Sequence, residues 1–206
     1  MSDQKHSSRK NTRDSEATRQ QILLAARALF SQDSYERVTV RKIAARAGID
    51  AALVIRYFGS KEELFLSALT SVGICPSNVF EGEITTLGER MLNSQVPEWD
   101  KHDPNDPMLI IMRTLANPDA SSSLRKLLDQ DIVQPMAMLI TASSPQLRAE
   151  FVLSQLIGLA VVRNLLRSEA LSAIPLEQLT EMLNPVFQYY LEGKVPTSES
   201  AADLVQ

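Results

Sequence analysis

The stretch VTVRKIAARAGIDAALVIRYFGSKEELFLSAL, residues 38–69, decides the fold because it predicts short helices separated by tight turns. Its apolar residues recur every three or four positions, which is the period of an α-helix with one buried face. The first helix is predicted over Val40–Ala47, with Thr39 as its N-cap and Gly48 just past its end. The second helix is predicted over Ala51–Phe58, with Asp50 as its N-cap. Two short helices joined by a glycine-containing turn are typical of a helix-turn-helix.

Helices are also predicted on both sides of this pair. Upstream, the segment ILLAARALF belongs to a helix expected over 16–32, whose apolar residues lie on one face. Downstream, Ser60 and Glu63 have the spacing of a capping box, in which Glu63 bonds back to the Ser60 amide as a further helix begins. Residues 1–13 are polar and basic, so we expect a disordered arm that either contacts DNA or is only a solvated tail.

The remainder of the chain is also predicted to be helical. Its apolar residues and prolines favour helices over 107–117, 120–141, 145–171 and 175–192, with a weaker one over 79–93. Pro135 and Pro185 fall inside two of these helices, and each is expected to kink or break its helix. The predicted fold is all-α. It comprises a disordered basic arm (1–13), a three-helix helix-turn-helix domain (14–72), a larger helical regulatory and dimerisation domain (73–193) and a flexible tail (194–206).

The two parts of the chain carry opposite charge. Residues 1–64 contain twelve Lys and Arg against eight Asp and Glu, a net charge of +4, whereas residues 65–206 contain nine against seventeen, a net charge of −8. A basic N-terminal part on an acidic remainder indicates a polyanionic partner for the N-terminal part alone. Because a helix-turn-helix places one helix in the DNA major groove, about 12 Å wide, the expected polyanion is double-stranded DNA.

Several other classes of protein are disfavoured by the sequence. No apolar run approaches the roughly 20 residues of a membrane span, and the polar N-terminus lacks the apolar centre of a secretory signal. We therefore expect no membrane partner and a cytoplasmic location. Glycine-rich phosphate loops, GxSxG and HExxH are missing, so no enzymatic activity, no catalytic residue and no cofactor are predicted. His6 and His102 lie far apart in polar segments, so no metal site is expected, and Cys75 is expected to be a structural thiol.

The helix-turn-helix stretch and the ILLAARALF segment before it resemble the DNA-binding domain of the TetR family of bacterial repressors. The resemblance covers roughly residues 16–70 and is carried by several spaced motifs. These motifs are TVRKI at 39–43, AGI at 47–49, YF at 57–58 and GSKEEL at 59–64. The resemblance implies a DNA-binding N-terminal domain followed by a helical domain that dimerises and binds a small ligand.

The resemblance also implies roles for individual residues. Arg41 is expected to reach a base edge, a guanine, while Thr39, Tyr57 and Lys61 are expected to hold phosphates. The recognition helix is expected to present Ala51, Ala52, Leu53, Ile55 and Arg56. Such an apolar face touches thymine methyls but makes few hydrogen bonds, so the two arginines are expected to carry most of the polar readout. Tyr57 and Ile55 have an alternative interpretation as packing residues.

The last two predicted helices carry more apolar surface than one small domain has partners for. Apolar residues fill most of the helix circumference over 151–166 and form a wide stripe over 175–192. A four-helix bundle about a two-fold axis covers such a surface, and the resemblance implies the same homodimer; the alternative is a monomer core. The predicted interface residues are Phe151, Gln155, Gly158, Leu159, Val162, Leu179, Leu183, Phe187 and Tyr190.

The small-molecule effector that the resemblance implies needs a pocket in the C-terminal domain. Candidate lining residues are amphipathic or flexible groups near the middle helices: Trp99, Met108, Met112, Arg113, Phe151 and Gln155. Each has an alternative interpretation as a core or surface residue, and Arg113 as the partner of an acid such as Asp129 or Glu150. The predicted function is a dimeric repressor, released from a pseudo-palindromic operator when a small apolar or amphipathic ligand binds.

Two alternative functions remain open from the sequence. The first is a regulator of the same fold, either an activator or a partner-controlled protein, with no small-molecule inducer. The second is a helical enzyme or binding module whose N-terminal part merely resembles a DNA reader. The salt dependence of DNA affinity separates the second from the others, because phosphate contacts make affinity fall steeply with salt.

Overall fold

The computed structural model describes residues 3–71, 75–101, 107–114 and 118–193, with the backbone alone for 3–13, 107, 113, 118 and 119. Every regular element within these ranges is helical, so the predicted all-α fold is confirmed. The chain forms two compact units. The N-terminal unit comprises residues 1–74 and 104–124, and the C-terminal unit comprises residues 75–103 and 125–206.

Eleven α-helices lie in the described part of the chain. They are α1 (Asp3–Phe30), α2 (Val40–Ala47), α3 (Ala51–Phe58), α4 (Lys61–Thr70), α5 (Leu87–Trp99), α6 (Pro107–Thr114), α7 (Pro118–Leu128), α8 (Gln134–Leu139), α9 (Pro145–Ala160), α10 (Glu169–Ala173) and α11 (Leu176–Glu192). Short 3-10 turns at Ser77–Phe80 and Ile84–Thr86 precede α5. π-Helical turns lie at Asp129–Val133, before α8, and at Val161–Leu165, after α9. The bounds predicted for α2 and α3 are confirmed.

Helix α1 is longer than the sequence predicts. It begins at Asp3 rather than near residue 16, so the backbone over 3–13 is helical where a disordered arm is predicted, and it ends at Phe30. This segment contains no proline or glycine, and a helix nucleated by the packing of its C-terminal half extends at little cost. A contact of residues 1–13 with DNA stays a prediction, because their side chains lie outside the description.

The core of the N-terminal unit forms around α1, which packs against α2, α4 and α6. The rings of Phe30 and Tyr35 stack with centroids 5.9 Å apart, and Phe65 meets each of them edge-on at 5.1 Å. Ile110 and Ile111 of α6 are buried as well. Helix α6 therefore packs with the N-terminal unit, although the sequence assigns residues 107–114 to the C-terminal domain. Their apolar run requires a partner surface, and α1 provides one.

Packing of α11 against both α5 and α9 organises the C-terminal unit. Gly88 of α5 approaches α11 so closely that a Cβ at this position would lie 2.9 Å from the Cβ of Phe187. Pro185 lies inside α11 without ending it, so the break considered for this helix is absent. Pro135 lies in the first turn of α8, directly after a π-helical turn, so the helix predicted over 120–141 is interrupted there as expected.

An ion pair between the buried Arg163 and the exposed Asp100 lies where α9 ends. The predicted helix over 145–171 stops at Ala160 and passes into a π-helical turn that contains Arg163, which is 4% exposed. The Arg163 guanidinium donates two hydrogen bonds of 2.9 Å to the Asp100 carboxylate and further bonds to the carbonyls of Leu171 and Ile174. These bonds tie the turn to the end of α5, to the middle of α10 and to the residue after α10, so the arginine is buried with its charge satisfied.

Candidate nucleic-acid interface

The turn between α2 and α3 is built by local signals. The Thr39 hydroxyl accepts a hydrogen bond of 3.2 Å from the Lys42 amide and thereby caps α2. Gly48 ends the helix with φ +67°, a left-handed conformation that costs glycine nothing. The Asp50 carboxylate then accepts a hydrogen bond of 2.7 Å from the Ala52 amide and caps α3. These three residues fix the angle between the two helices.

Helix α1 braces both helices of this motif from behind. The Gln21 side-chain amide donates a hydrogen bond of 2.7 Å to the Ala47 carbonyl at the end of α2. The Arg19 guanidinium lies 4.8 Å from the centroid of the Phe58 ring, the last residue of α3. A reading helix needs a support of this kind, because it enters the groove as a rigid body.

The outward face of α3 is short and mixed in chemistry. Val54 and Phe58 are buried, so the opposite face, Ala52, Ile55 and Arg56, is exposed to solvent. These three have the spacing i, i+3 and i+4 and therefore form one ridge along the helix. Ile55 is 44% exposed, so nearly half of its aliphatic side chain faces solvent. We call these three residues the α3 ridge.

The remaining predicted contacts of α3 lie at the edges of this ridge. Ala51, Leu53 and Tyr57 are each half-buried. The Tyr57 hydroxyl donates a hydrogen bond of 3.2 Å to the Ser15 hydroxyl of α1, so Tyr57 links the two helices. Its predicted contact with a phosphate stays a prediction, and any such contact competes with or adds to the Ser15 bond.

Positive charge is exposed on α2 as well as on the α3 ridge. Arg41 is exposed at the start of α2 and forms no ion pair with the residues that the structure describes. Lys42 and Arg46 are exposed on the same helix, and the Lys42 ammonium donates to the Arg37 carbonyl at 2.9 Å. Together with Arg56 they give the two helices a cationic outer surface. The structure thus places Arg41 where an arginine has its donors free for an acceptor.

Lys61 lies in the first turn of α4, after Ser60 as N-cap. Its ammonium lies 4.1 Å from the centroid of the Tyr35 ring. Burial lowers the pKa of Lys61 below its usual value, and the nearby Glu36 partly opposes this shift. The helix N-terminus beside it favours an anion, which suits a phosphate contact.

The predicted capping box at α4 forms in one direction only. The Ser60 hydroxyl accepts a hydrogen bond of 3.0 Å from the Glu63 amide, as expected. The Ser60 amide, however, donates to the Phe58 carbonyl at 2.9 Å rather than to the Glu63 carboxylate. That carboxylate lies against Gly59, where φ is +78° and a Cβ would lie 2.1 Å from a Glu63 oxygen. The turn between α3 and α4 therefore favours a glycine for its backbone conformation, whereas the flexible Glu63 side chain could move away from a Cβ.

The predicted ligand-pocket residues divide between the two units. Met108 is buried and Met112 half-buried in the N-terminal unit, and the side chain of Arg113 lies outside the description. In the C-terminal unit Trp99 is 6% exposed, whereas Phe151 and Gln155 are exposed on α9. Phe151 stacks on Tyr190 with ring centroids 5.2 Å apart. Neither unit by itself brings the six residues together.

A groove with a volume of about 560 Å³ lies between α5 and α11 of the C-terminal unit. Its lining comprises Glu89, Asn93, Leu176, Glu177, Thr180, Glu181, Asn184 and Pro185. None of these residues was predicted to line a pocket. The alignment of two helices far apart in the sequence creates the groove, so no local pattern could have indicated it.

The predicted dimer residues fall on two sides of their helices. Leu179 and Phe187 are 2% and 0% exposed and belong to the core of their own unit, so their assignment to an interface is wrong for this conformation. Gln155 and Gly158 are exposed, and Leu159, Leu183 and Tyr190 are half-buried. The large apolar side chains exposed on α9, the turn after it and α11 are Leu147, Phe151, Val162, Leu166, Met182, Val186 and Tyr189. We call these seven residues the α9–α11 surface.

Three further expectations concern membrane-spanning helices, metal sites and the cysteine. No described helix is long and apolar enough to cross a membrane. The described residues also contain no group of three or more His, Cys, Asp or Glu placed to bind a metal ion. Burial raises the pKa of the Cys75 thiol to about 11, which disfavours the reactive thiolate.

Two family models match the chain. The model described as bacterial regulatory proteins, tetR family, matches residues 22–68, which contain α2, α3 and most of α4. The model described as tetracyclin repressor-like, C-terminal domain, matches residues 85–191, slightly more than half of the chain. The first match therefore covers the helix-turn-helix, and the second lies within the acidic remainder of the chain, residues 65–206.

Individual known proteins are similar as well. HbdR, an HTH-type transcriptional regulator from Aromatoleum sp. (strain CIB), is 37% identical over 57 residues, which are 28% of this chain and about a quarter (25%) of HbdR. A crystal structure of a TetR-family regulator from Streptomyces coelicolor A3 matches with a TM-score of 0.60 at 27% identity, covering 84% of this chain and 94% of that chain. NalD, the secondary repressor of the MexAB-OprM multidrug efflux pump in Pseudomonas aeruginosa, has a TM-score of 0.61 at 19% identity, covering 85% and 96%.

Proposed function

Because the chain belongs to the TetR family of bacterial regulatory proteins, we propose that it is a homodimeric transcriptional repressor that a small ligand releases from its operator. Members of this family are DNA-binding regulators rather than enzymes. The proposal assigns base contacts to Arg41 and to the α3 ridge. It assigns phosphate contacts to Thr39, Tyr57 and Lys61. A repressor that reads chromosomal operators acts in the cytoplasm.

The observation that carries the proposal is the outer surface of α2 and α3. Capping at Thr39 and Asp50 and the left-handed Gly48 hold α3 at a fixed angle, and α1 braces α2 through Gln21 and α3 through Arg19. Exposed cations of α2 flank the α3 ridge on this surface. Contacts to phosphates position such a surface on DNA, while contacts to base edges provide the specificity. The arrangement supports a helix that enters the major groove.

The α9–α11 surface supports the dimer. It presents seven large apolar side chains on helices that pack against each other. A group of exposed large apolar side chains on neighbouring helices is typical of a binding surface, and two copies brought together about a two-fold axis would each cover the other. Two DNA-binding units related by that axis read two half-sites whose centres lie about 34–36 Å apart.

The ligand is the part of the proposal that rests most on the family. NalD is named as a repressor of a multidrug efflux pump, and the C-terminal family model is that of tetracyclin repressor-like proteins. The predicted lining residues Trp99, Met108, Met112, Arg113, Phe151 and Gln155 remain candidates. A ligand that favours the conformation unable to bind DNA must bind more weakly when DNA is bound, because the two equilibria are linked.

A regulator controlled by a protein partner is the second candidate. The observation that favours it is the exposure of Phe151 and Gln155, two predicted pocket residues that lie on the surface of α9. In this case the partner would bind the C-terminal unit directly, and no small molecule would change the affinity for DNA.

The proposal is tested by selecting duplexes from a random pool with the purified protein. The affinity for the selected duplex and for a scrambled one is then measured by fluorescence anisotropy across a range of salt concentrations. A specific reader binds its selected duplex at least about a thousandfold more tightly, and both affinities fall as salt rises. Equal affinities for the two duplexes contradict the proposal.

A thermal-shift screen of small molecules separates the two candidates. A ligand at 100 times its dissociation constant adds about 2.7 kcal/mol to the stability of the folded protein. The same compound must then lower the affinity for the selected duplex. A compound library that stabilises nothing, combined with intact sequence-specific DNA binding, favours the partner-controlled regulator.

A further inference from the structure

The α3 ridge has a chemistry that limits which bases it can accept. Along the ridge lie a methyl group, a branched aliphatic group and a guanidinium, from Ala52, Ile55 and Arg56. All three side chains are exposed, and Ile55 is 44% exposed. Two of the three positions therefore carry no hydrogen-bonding atom.

The exposure of Ile55 is not needed for folding. The buried face of α3 is provided by Val54 and Phe58, which are 1% and 6% exposed. The helix itself is fixed at its ends by the Asp50 cap and by the amide of Gly59, which donates to the Ile55 carbonyl at 2.7 Å. The Ile55 side chain is thus free to serve a contact outside the protein.

The major groove offers one apolar group, the C5-methyl of thymine. Guanine, adenine and cytosine present hydrogen-bond donors and acceptors on this edge. Isoleucine placed against them removes their water and provides no replacement bond, which costs free energy. Against a thymine methyl the same side chain buries apolar surface on both sides.

We propose that Ile55, supported by the small Ala52, selects thymine in each operator half-site by contacting its methyl group. The inference rests on the proposed DNA-binding function and adds the base that this part of the surface recognises. Ile55 is then the specificity-determining residue for that base pair. The neighbouring Arg56 and Arg41 provide the polar contacts to adjacent positions. Ala52 keeps the start of the helix free of bulk, so that Ile55 can approach the base.

The test replaces each thymine of the selected half-site in turn by deoxyuridine, which lacks only the methyl group. At the contacted position the affinity should fall about fourfold, the effect of one buried methyl group on binding. Replacement at the other thymines should leave the affinity unchanged. The same series is then measured with Ile55→Ala, which removes the contacting side chain from an exposed position and leaves the core intact.

The two changes must be non-additive if Ile55 touches the methyl group. The Ile55→Ala protein should bind the thymine and deoxyuridine duplexes equally, while Arg56→Ala should bind both more weakly but keep the fourfold difference. Replacing the contacted thymine by 5-methylcytosine should recover part of the affinity that plain cytosine loses. Circular dichroism checks that each variant retains its helical content.

Two results overturn the inference. One is a selected duplex in which no thymine responds to the loss of its methyl group. The other is a deoxyuridine effect that is the same in the natural protein and in Ile55→Ala. Both leave the proposed function intact, since a preferred duplex was found. A pool that yields no preferred sequence contradicts the proposed function itself, and the inference with it.

Discussion

The outer surface of α2 and α3 and the α9–α11 surface differ in kind. The first is rich in exposed cations, such as Arg41, Lys42 and Arg56, whereas the second exposes large apolar side chains such as Phe151 and Met182. Binding through cations and phosphates weakens as salt rises, and apolar association does not. The proposed DNA contact and the proposed dimer contact can therefore be separated experimentally by varying the salt concentration.

The two surfaces also differ in what supports them. The DNA-facing surface depends on local caps and turns and on bonds from α1, such as Gln21 with Ala47, while the α9–α11 surface depends on contacts within the C-terminal unit, such as Arg163 with Asp100. Changes at single positions should therefore affect the two surfaces independently. Substitutions at four positions test this independence, and their expected effects decrease from Phe151 through Arg41 and Gly48 to Lys61.

The largest effect is expected from Phe151→Asp, which places a charge in the apolar α9–α11 surface. Phe151 is 45% exposed and stacks on Tyr190, so an aspartate here would be buried without a partner in the dimer. The expected loss is about 3 kcal/mol or more in the free energy of dimerisation, roughly a hundredfold or more in the dissociation constant. Sedimentation equilibrium measures this constant.

Met138→Asp is the matched control for this change. Met138 is 79% exposed on α8 and lies outside the α9–α11 surface, so it should leave the dimer unchanged. Equal dimerisation constants for the two variants contradict the assignment of the surface, provided that both retain their helical content by circular dichroism.

The second effect is expected from Arg41→Ala, which removes an exposed guanidinium from the DNA-facing surface. The affinity for the selected duplex should fall by about 1–3 kcal/mol, with relaxed specificity at one base pair, because a bidentate base contact is lost. Arg125→Ala changes the charge equally from an exposed position in the C-terminal unit and is the control. The assignment of Arg41 is wrong if the two variants lose the same affinity.

The third effect concerns the turn that sets the angle of α3. Gly48→Ala should lower the free energy of unfolding by about 1–2 kcal/mol, because alanine is strained at φ +67°. No atom lies within 4 Å of the added Cβ, so the cost comes from the backbone alone. Gly48→Asn should cost less, since asparagine tolerates the left-handed region. Urea unfolding measures both, and equal losses in the two variants contradict this origin of the cost.

The smallest effect is expected from Lys61, whose proposed role is a contact with a phosphate. Lys61→Ala should weaken binding to all sequences alike, by about 0.5–1 kcal/mol, and reduce the salt slope by about one unit. A loss confined to the selected duplex contradicts a phosphate contact and indicates a base contact instead.

The pKa of Lys61 sharpens this test. Burial lowers that pKa, and a bound phosphate favours the charged form, so DNA binding raises it again. The affinity should therefore fall as the pH rises through the lowered pKa of the free protein, at a lower pH than for an ordinary lysine. Lys61→Arg stays charged and should remove this fall in affinity, because arginine keeps its proton over the same range of pH. Identical profiles in both proteins contradict the contact.

The sequence predicts the helix-turn-helix well because its signals are local. The bounds of α2 and α3 follow from Thr39, Gly48 and Asp50, and each of these residues makes the predicted cap or turn. Of the residues that the resemblance assigns to the recognition surface of α3, Ala52, Ile55 and Arg56 are exposed, whereas Ala51 and Leu53 are half-buried. The local pattern wrongly predicts a bond from the Ser60 amide to the Glu63 carboxylate. The Ser60 amide donates to the Phe58 carbonyl instead, an acceptor that the capping-box spacing does not reveal.

The C-terminal unit is less predictable because its contacts join distant segments. Apolar spacing marks Leu179 and Phe187 as members of a stripe, but only the position of α5 shows that they face the core. The same holds for Arg163, whose burial depends on Asp100, 63 positions earlier. The predicted pocket residues share an amphipathic or flexible character, yet they lie in two different units, because that character does not determine which segments pack together. Composition indicates which side chains suit a pocket, and it does not indicate which of them meet.

A footprint tests most directly whether this chain reads a two-fold symmetric DNA sequence. Genomic fragments are selected with the purified protein at one fixed, near-physiological salt concentration, and the protected bases are then mapped. A dimeric reader should yield one recurring palindrome, protected over two half-sites whose centres lie about 34–36 Å apart. Random fragments, bound without a protected pattern and released as salt rises, would contradict it, because the cationic surface would then be an electrostatic patch without specificity.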